Sequence, residues 1–427
     1  MAEALLLTNC KQLVTMGGRA PKRGRALAEI DAIRDGAVLV AGGKIVAAGP
    51  RAKVERHPAV AGRRARKMDL GGRVVTPGLV DAHTHLVFAA SRAAEYEQRI
   101  AGATYEQIAK AGGGILSSVR ALRAASDDAL AASASARLER MAEHGTTTVE
   151  AKSGYGLDFE NELRTLKLLR RLGKQQNVEI VPTLLAAHVV PPEFRSRSFG
   201  TGGADEYVDR IVRLILPAAA LEGLAEYCDV FVERGAFTAA QARRIMAAAR
   251  ALGLVPRLHA EQLARTGGAR LAVEVEAASV DHLDYATDAD IRALARSEVA
   301  CILLPGCSFH LGLPRYAPAR KLIEAGAIVA LATDCNPGTS PTLSLPMAMS
   351  LACTQMRMTP GEALAACTIN AAYSLGRHER IGSIETGKDA DLAVWDVEDY
   401  REIPYYFGVN HCAMTMKRGM VIHKAVS

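Results

Sequence analysis

Val74-Val75-Thr76-Pro77-Gly78-Leu79-Val80-Asp81-Ala82-His83-Thr84-His85-Leu86 is the stretch whose reading decides the fold. An apolar run is broken by a Pro-Gly turn and ends in two histidines two residues apart. In a strand, residues i and i+2 point to the same face. His83 and His85 can therefore present two imidazoles to one point. Paired neutral imidazoles suit a divalent metal of the zinc or iron type. Taken alone, a His-x-His pair fits two unrelated surface histidines equally well. What decides between the two is whether the rest of the chain supplies further ligands.

Upstream of this stretch the chain is β-rich. Residues 4–16 and 36–49 set apolar residues between turn signals, and Ala37-Val38-Leu39-Val40 followed by Lys44-Ile45-Val46-Ala47-Ala48 reads as a hairpin. From Pro77 onward, short apolar strands alternate with helical stretches, the signature of parallel βα units. Eight strands are expected: Leu79–His85, Thr146–Lys152, Glu179–His188, Cys228–Glu233, Val255–Ala260, Ser279–Leu283, Ala300–Pro305 and Ile328–Thr333. The intervening segments carry helical spacing, as in Leu163, Leu166 and Leu169. Eight such units make an α/β fold of the (β/α)₈ TIM-like barrel type. The barrel is expected over residues 76–380, with a long insertion from Ala89 to Ala142 whose Gly112-Gly113-Gly114 run reads as a flexible loop near the site. A helix is expected over Gly361–Leu375. After Ile381 the sequence is β-rich again, so residues 1–75 and 381–427 are expected to pair into one small β-sandwich domain built from both termini.

The 427 residues are 49% hydrophobic and 23% charged, with a net charge of +6. This is ordinary globular composition. The basic clusters Lys22-Arg23-Arg25 and Arg63-Arg64-Arg66-Lys67 have no interleaved aromatic residues, so they read as solvated faces and not as a nucleic-acid groove. The eight cysteines lie in apolar segments with no Cys-x-x-Cys, which favours reduced, buried thiols in a cytoplasmic protein. Met1–Cys10 has no basic leader or long apolar core and reads as a strand. No apolar run reaches the length of a membrane span.

In a barrel the chemistry sits at the C-terminal ends of the strands. The chain has 11 histidines, and five of them fall at those ends: His83 and His85, His188, His259 and His282. Lys152 ends the second strand before Ser153-Gly154-Tyr155-Gly156, Glu233 ends the fourth, and Asp334 follows the eighth. Each has an ordinary structural alternative. His188 and His282 could be hydrogen-bonded core histidines, Asp334 could shape a turn, and Tyr155 could be a surface aromatic. The joint pattern is harder to explain in that way. His83, His85, His259 and Asp334 offer three nitrogens and one oxygen to a single metal, with room for a water. Asp334 could take a proton, and His282 could polarise a carbonyl.

This order of residues resembles the amidohydrolase superfamily. The finer motifs resemble its imidazolonepropionase family over nearly the whole chain. They are Thr76–His85, Gly112-Gly113-Gly114-Ile115, Lys152-Ser153-Gly154-Tyr155-Gly156-Leu157, Asp334-Cys335-Asn336-Pro337-Gly338-Thr339-Ser340 and Thr368-Ile369-Asn370-Ala371-Ala372. Two-metal members carry a carbamylated lysine at the end of strand four. Glu233 stands there, which favours one divalent metal per chain, zinc or iron. The resemblance implies hydrolysis of the ring amide of 4-imidazolone-5-propanoate to N-formimidoyl-L-glutamate, a step of histidine degradation, by metal-bound hydroxide attacking the ring carbonyl. It implies Asp334 and His282 as catalytic residues, with Arg92 gripping the propanoate. Tyr155, His188, Asn336, Gly338 and Thr339 would contact substrate, as would Tyr105 on the long first loop, and a homodimer is the expected assembly. Related deaminases carry glutamate where this chain has Gln262. An amide cannot shuttle protons, so Gln262 is expected to orient the ring nitrogens. That substitution and Arg92 weigh against a deaminase or a hydantoin-type hydrolase, and the complete ligand set weighs against a non-catalytic scaffold.

Overall fold

A computed structural model describes residues 4–61, 65–103, 107–108, 111–195 and 202–425. Its centre is a parallel sheet in which sequence order and spatial order coincide. The strands are β5 (Leu79–Asp81), β6 (Thr146–Lys152), β7 (Glu179–Ala187), β8 (Tyr227–Val232), β9 (Val255–Ala260), β10 (Ser279–His282), β11 (Ala300–Leu303) and β12 (Ile328–Leu331). The eight expected strands are all present; β6 and β9 match, β8 is shifted by one residue, β7, β10, β11 and β12 end one or two residues early, and β5 ends four residues early, so His83 and His85 follow the strand and do not lie in it. The sheet closes on itself where the chain leaves β5 and β12. Thr84 bridges Cys335 in parallel, His85 N–H donates to the Cys335 carbonyl at 2.8 Å, and Asp334 N–H donates to the His83 carbonyl at 3.1 Å. Thr333 seals the seam from below, its hydroxyl 2.6 Å from Asp81 Oδ2. The barrel thus closes through the same residues that carry the sequence's metal-ligand candidates.

Helices cover the outside of the barrel for the reason their spacing gives. In Phe159–Gln175, Leu163, Leu166 and Leu169 are all buried, and Asp158 caps the helix by accepting from Asn161 N–H at 2.7 Å. The expected helix over Gly361–Leu375 is two helices, Pro360–Ala366 and Ile369–Ser374. The break falls at Thr368, where the backbone leaves helical geometry. It lets Asn370 turn inward, where its side chain bonds both backbone groups of Lys22 and the Val329 carbonyl. The Thr-Ile-Asn-Ala-Ala motif therefore ties the N-terminal segment to β12 and stands away from the site.

The second sheet takes strands from both ends of the chain. They are β1 (Ala4–Val14), β2 (Ala32–Ala41), β3 (Lys44–Pro50), β4 (Ala65–Pro77), β13 (Leu392–Trp395), β14 (Cys412–Lys417) and β15 (Met420–Lys424). The order is β15-β14-β13-β4-β1-β2-β3. Its two halves bury Leu5, Leu7, Leu13, Val38, Val40, Leu392, Val394 and Met416 in one shared core. β4 runs straight into β5 through Pro77-Gly78. Any Cβ at Gly78 would overlap the Thr147 side chain, so only glycine lets the linker pass this close to β6.

Candidate active site

The rim of the barrel rests on a buried layer of charge. Glu150, Lys152, Asp229, Arg257 and Asp281 are all fully buried. Lys152 Nζ lies 2.8 Å from Glu150, 2.8 Å from Asp229 and 3.7 Å from Asp281. Arg257 donates to the Ala82 carbonyl at 2.9 Å. Burial opposes the Lys152 ammonium, but Asp229 and Glu150 more than offset it and raise its pKa. Burial pushes Asp229 up, but His259 and Lys152 hold it well below the usual carboxylate range. Three carboxylates facing two cations leave this layer an excess of negative charge directly beneath the histidines.

Those carboxylates set the imidazoles. His83 Nδ1 lies 2.6 Å from Asp281 Oδ2, and His259 Nδ1 lies 2.9 Å from Asp229 Oδ2. The hydrogen-bonded carboxylate at His83 Nδ1 fixes the proton there and leaves the Nε2 lone pair facing the centre, whereas Asp229 acts on His259 by its nearby charge without hydrogen-bond geometry. The remaining donor atoms converge. His259 Nε2 is 3.4 Å from His85 Nε2, and Asp334 Oδ1 is 3.5 Å from His83 Nε2 and 3.6 Å from His85 Nε2. Tetrahedral zinc with bonds of about 2.0–2.1 Å has ligand–ligand edges of about 3.3–3.4 Å. The three separations are close to such an edge. His83 Nε2 is buried without a hydrogen-bond partner among the described residues, which a ligand bond would satisfy. His83, His85 and Asp334 form one group of potential ligand atoms within 4.8 Å of one another, and His83, His259 and His282 form another. Burial holds His83, His85 and His282 well below the usual imidazole value and His188 down to about 3, so these rings are neutral near neutral pH. Burial pushes Asp334 up to about 7. His282 and Asp334 have φ of 79° and 53°, costly for non-glycine residues and typical of backbone bent to aim a functional side chain.

A cavity of about 430 Å³ opens above this cluster. His85, His259, His282 and Asp334 form part of its wall, with Arg92, Tyr155, His188, Gln262, Asn336 and Thr339. His188 stacks on His85 with ring centroids 5.1 Å apart and places Nδ1 2.9 Å from the Gly154 carbonyl. Gln262 Nε2 lies 3.2 Å from Cys307 Sγ. Asn336 spends its amide on its own loop: Oδ1 accepts from Gly338 and Thr339 N–H, and Nδ2 donates to the Asp334 carbonyl. Gly338 stands behind Arg92, where a Cβ would overlap the guanidinium. Tyr105 lies outside the described residues. The Gly112–Gly114 run is held by Glu95, which accepts from Gly114 N–H at 3.1 Å and Ser117 Oγ at 2.8 Å.

Several supporting residues escape a reading of the sequence. Glu162 accepts from Gly154, Gly156 and Leu157 N–H and so shapes the loop that carries Tyr155. Glu233 Oε2 accepts from the N–H groups of Gln262 and Leu263, which fastens it to the loop after β9. Arg137 donates to the Leu86 and Phe88 carbonyls just after the histidine pair. A charged residue inside an otherwise apolar strand, such as Asp229 or Arg257, is the one signal that marks this layer in advance.

Among the described residues, no helix is long and apolar enough to cross a membrane. The Amidohydrolase family model matches residues 108–423. The chain is 48% identical to an imidazolonepropionase of Geobacillus kaustophilus, covering 98% of this chain and 97% of the relative. It is 50% identical to an imidazolonepropionase of Solibacter usitatus, covering 96% of each. In fold it is similar to E. coli guanine deaminase, at 14% identity with a TM-score of 0.73 over 99% of each chain. It is also similar to a zinc-bound adenosine deaminase from Xanthomonas campestris, at 20% identity with a TM-score of 0.67 over 98% of this chain and 92% of that one. The converging histidines, the barrel that aims them and the full-length identity agree: the chain belongs to the amidohydrolase family and, within it, to the imidazolonepropionases.

Proposed function

We propose that this site hydrolyses the ring amide of 4-imidazolone-5-propanoate, adding water across the bond between carbonyl carbon and ring nitrogen to release N-formimidoyl-L-glutamate. The observation that carries the reading is the convergence of His83, His85, His259 and Asp334 on the barrel rim, with three of their donor separations at 3.4, 3.5 and 3.6 Å and a carboxylate behind His83 and another behind His259. These four residues would hold one zinc or iron ion. A single ion is favoured because Lys152 is fully engaged by Glu150 and Asp229 and Glu233 is occupied with backbone donors. Such an ion supplies Lewis-acid polarisation and makes water nucleophilic near neutral pH.

The chain's own residues do the rest. Asp334, buried beside the converging imidazoles, would take the proton of the attacking water and pass it to the departing ring nitrogen. His282, neutral and buried, donates an N–H to the oxygen on which charge develops. Gln262 hydrogen-bonds the ring without exchanging protons. Tyr155 and His188 flank the ring, Asn336 and Thr339 line the wall after β12, and Arg92 is the proposed partner of the propanoate. We further propose that residues 76–380 form the catalytic domain, with residues 1–75 and 381–427 as a composite second domain. A cytoplasmic homodimer is the proposed setting: all eight cysteines are unpaired, consistent with a reducing compartment. The test is the ultraviolet absorbance loss of the imidazolone. Metal-loaded protein is expected to consume it, chelated protein to stop, and about one metal per chain to restore the rate. Absence of turnover by metal-loaded protein would overturn the reaction. Two metals per chain would overturn the single-ion site.

A further inference from the structure

The mouth of the cavity carries two guanidiniums and one carboxylate. Arg92 and Arg99 both line it. They bracket the helix Ala93–Ile100, Arg92 at its N-cap and Arg99 in its last turn. Seven residues is close to two helical turns, so both lie on one face. Glu95 takes Arg92 Nε at 2.8 Å and Nη2 at 2.7 Å. Both nitrogens share the one oxygen Oε2, the pair is internally neutral, and the Arg92 side chain is only 7% exposed.

Arg99 is in the opposite condition. Its Nη1 donates to the Gly338 carbonyl at 3.0 Å. Its Nη2 is buried without a hydrogen-bond partner among the described residues, a state that costs free energy until an acceptor arrives. Burial and the neighbouring Arg92 hold its guanidinium below the usual arginine value, as expected of a cation short of an anion. Gly338 serves both arginines. Its missing Cβ admits the Arg92 guanidinium, and its carbonyl seats Arg99.

We propose that Arg99 is a specificity-determining residue that adds a second guanidinium to the carboxylate site: seated on the Gly338 carbonyl, it joins Arg92, which Glu95 directly contacts, in receiving the substrate's carboxylate. This rests on the ring-amide reading above, in which the substrate brings one carboxylate on a flexible chain. Hydrolysis creates the second carboxylate at the histidine cluster, away from Arg99. Substrate and transition state therefore make the Arg99 contact alike, and it governs KM and not kcat.

The test compares 3-(imidazol-4-yl)propanoate with its uncharged primary amide, by calorimetry on zinc-loaded enzyme. Wild-type protein is expected to prefer the acid by about tenfold or more, Arg99→Gln to bring the two near parity, and Arg99→Lys to keep part of the preference. In turnover, Arg99→Gln is expected to raise KM about 10- to 100-fold with kcat little changed. A wild-type acid preference in Arg99→Gln would overturn the proposal. So would equal weakening of acid and amide, which would make Arg99 only a prop for the Gly338 loop. The calorimetric preference needs no turnover, so failure of the reaction assignment would show separately, as wild-type enzyme that leaves the imidazolone intact.

Discussion

Replacing Asp281 with alanine removes the group that sets His83. Asp281 Oδ2 lies 2.6 Å from His83 Nδ1 with neither side chain exposed, and Ser279 Oγ steadies the other oxygen at 2.7 Å. Without that acceptor nothing holds the imidazole proton on Nδ1, and a ring protonated at Nε2 has no lone pair for a metal. The loss is one charge-assisted hydrogen bond, about 1.5–3 kcal/mol. Carboxylates placed behind metal-binding histidines tune affinity about 10- to 100-fold, or about 1.4–2.8 kcal/mol. The two estimates coincide, so zinc affinity of Asp281→Ala is expected to fall about 10- to 100-fold. The fold is expected to persist, because Lys152 keeps Glu150 and Asp229 at 2.8 Å. Asp281→Asn retains an acceptor oxygen and is expected to lose less than about tenfold. The assay is zinc competition against a chromophoric chelator, with circular dichroism melts alongside. A folded Asp281→Ala protein that binds zinc within about twofold of wild type would refute the reasoning.

Two further outcomes follow from the same geometry. His282→Ala is expected to lower kcat about 10²- to 10³-fold, the usual cost of one oxyanion donor, while zinc content stays at the wild-type level; loss of zinc would make His282 a ligand. Glu179, at the start of β7, receives Arg380, Arg377 and Lys417. Burial pushes it up, but Lys417 and Arg380 prevail and hold it at about 2. Its depressed folded pKa means stabilisation that is complete above its unfolded value of about 4.5 and is lost as pH falls towards about 2. A shift of that size is worth at most about 3 kcal/mol. Unfolding free energies of Glu179→Gln and wild type from denaturant titration are therefore expected to differ by about 2–3 kcal/mol at pH 7 and to approach each other below about pH 4.5. A pH-independent gap would count against ionic linkage.

The sequence shows the strands and the rim because both obey local rules. Apolar runs of three to nine residues between turn signals mark β5 to β12, and the position of a residue at a strand end already says that it faces the cavity mouth. What stays hidden depends on register between segments far apart in the chain. Asp281 meets His83 across 198 residues, and Arg99 meets Gly338 across 239. No periodicity encodes those pairings. A trace of them exists all the same: Glu150 and Lys152, Arg257 and His259, Asp229 and Asp281 are all strand positions where a charged or titratable group replaces an expected apolar one. In a buried strand such a replacement is costly unless partners are built in. Lys152 illustrates the consequence. At the sequence level it is a basic residue beside a metal site and invites a ligand role. In the fold its ammonium is saturated by Glu150 and Asp229, and Asp229 in turn faces His259 Nδ1. Lys152 thus acts on the site through Asp229, keeping that carboxylate ionised so that His259 keeps its Nε2 lone pair turned to the centre. The same logic separates Arg92 from Arg99: both are cations at one helix, and because Glu95 sits on Arg92, Arg99 brings the larger unbalanced charge to the carboxylate that both are proposed to receive.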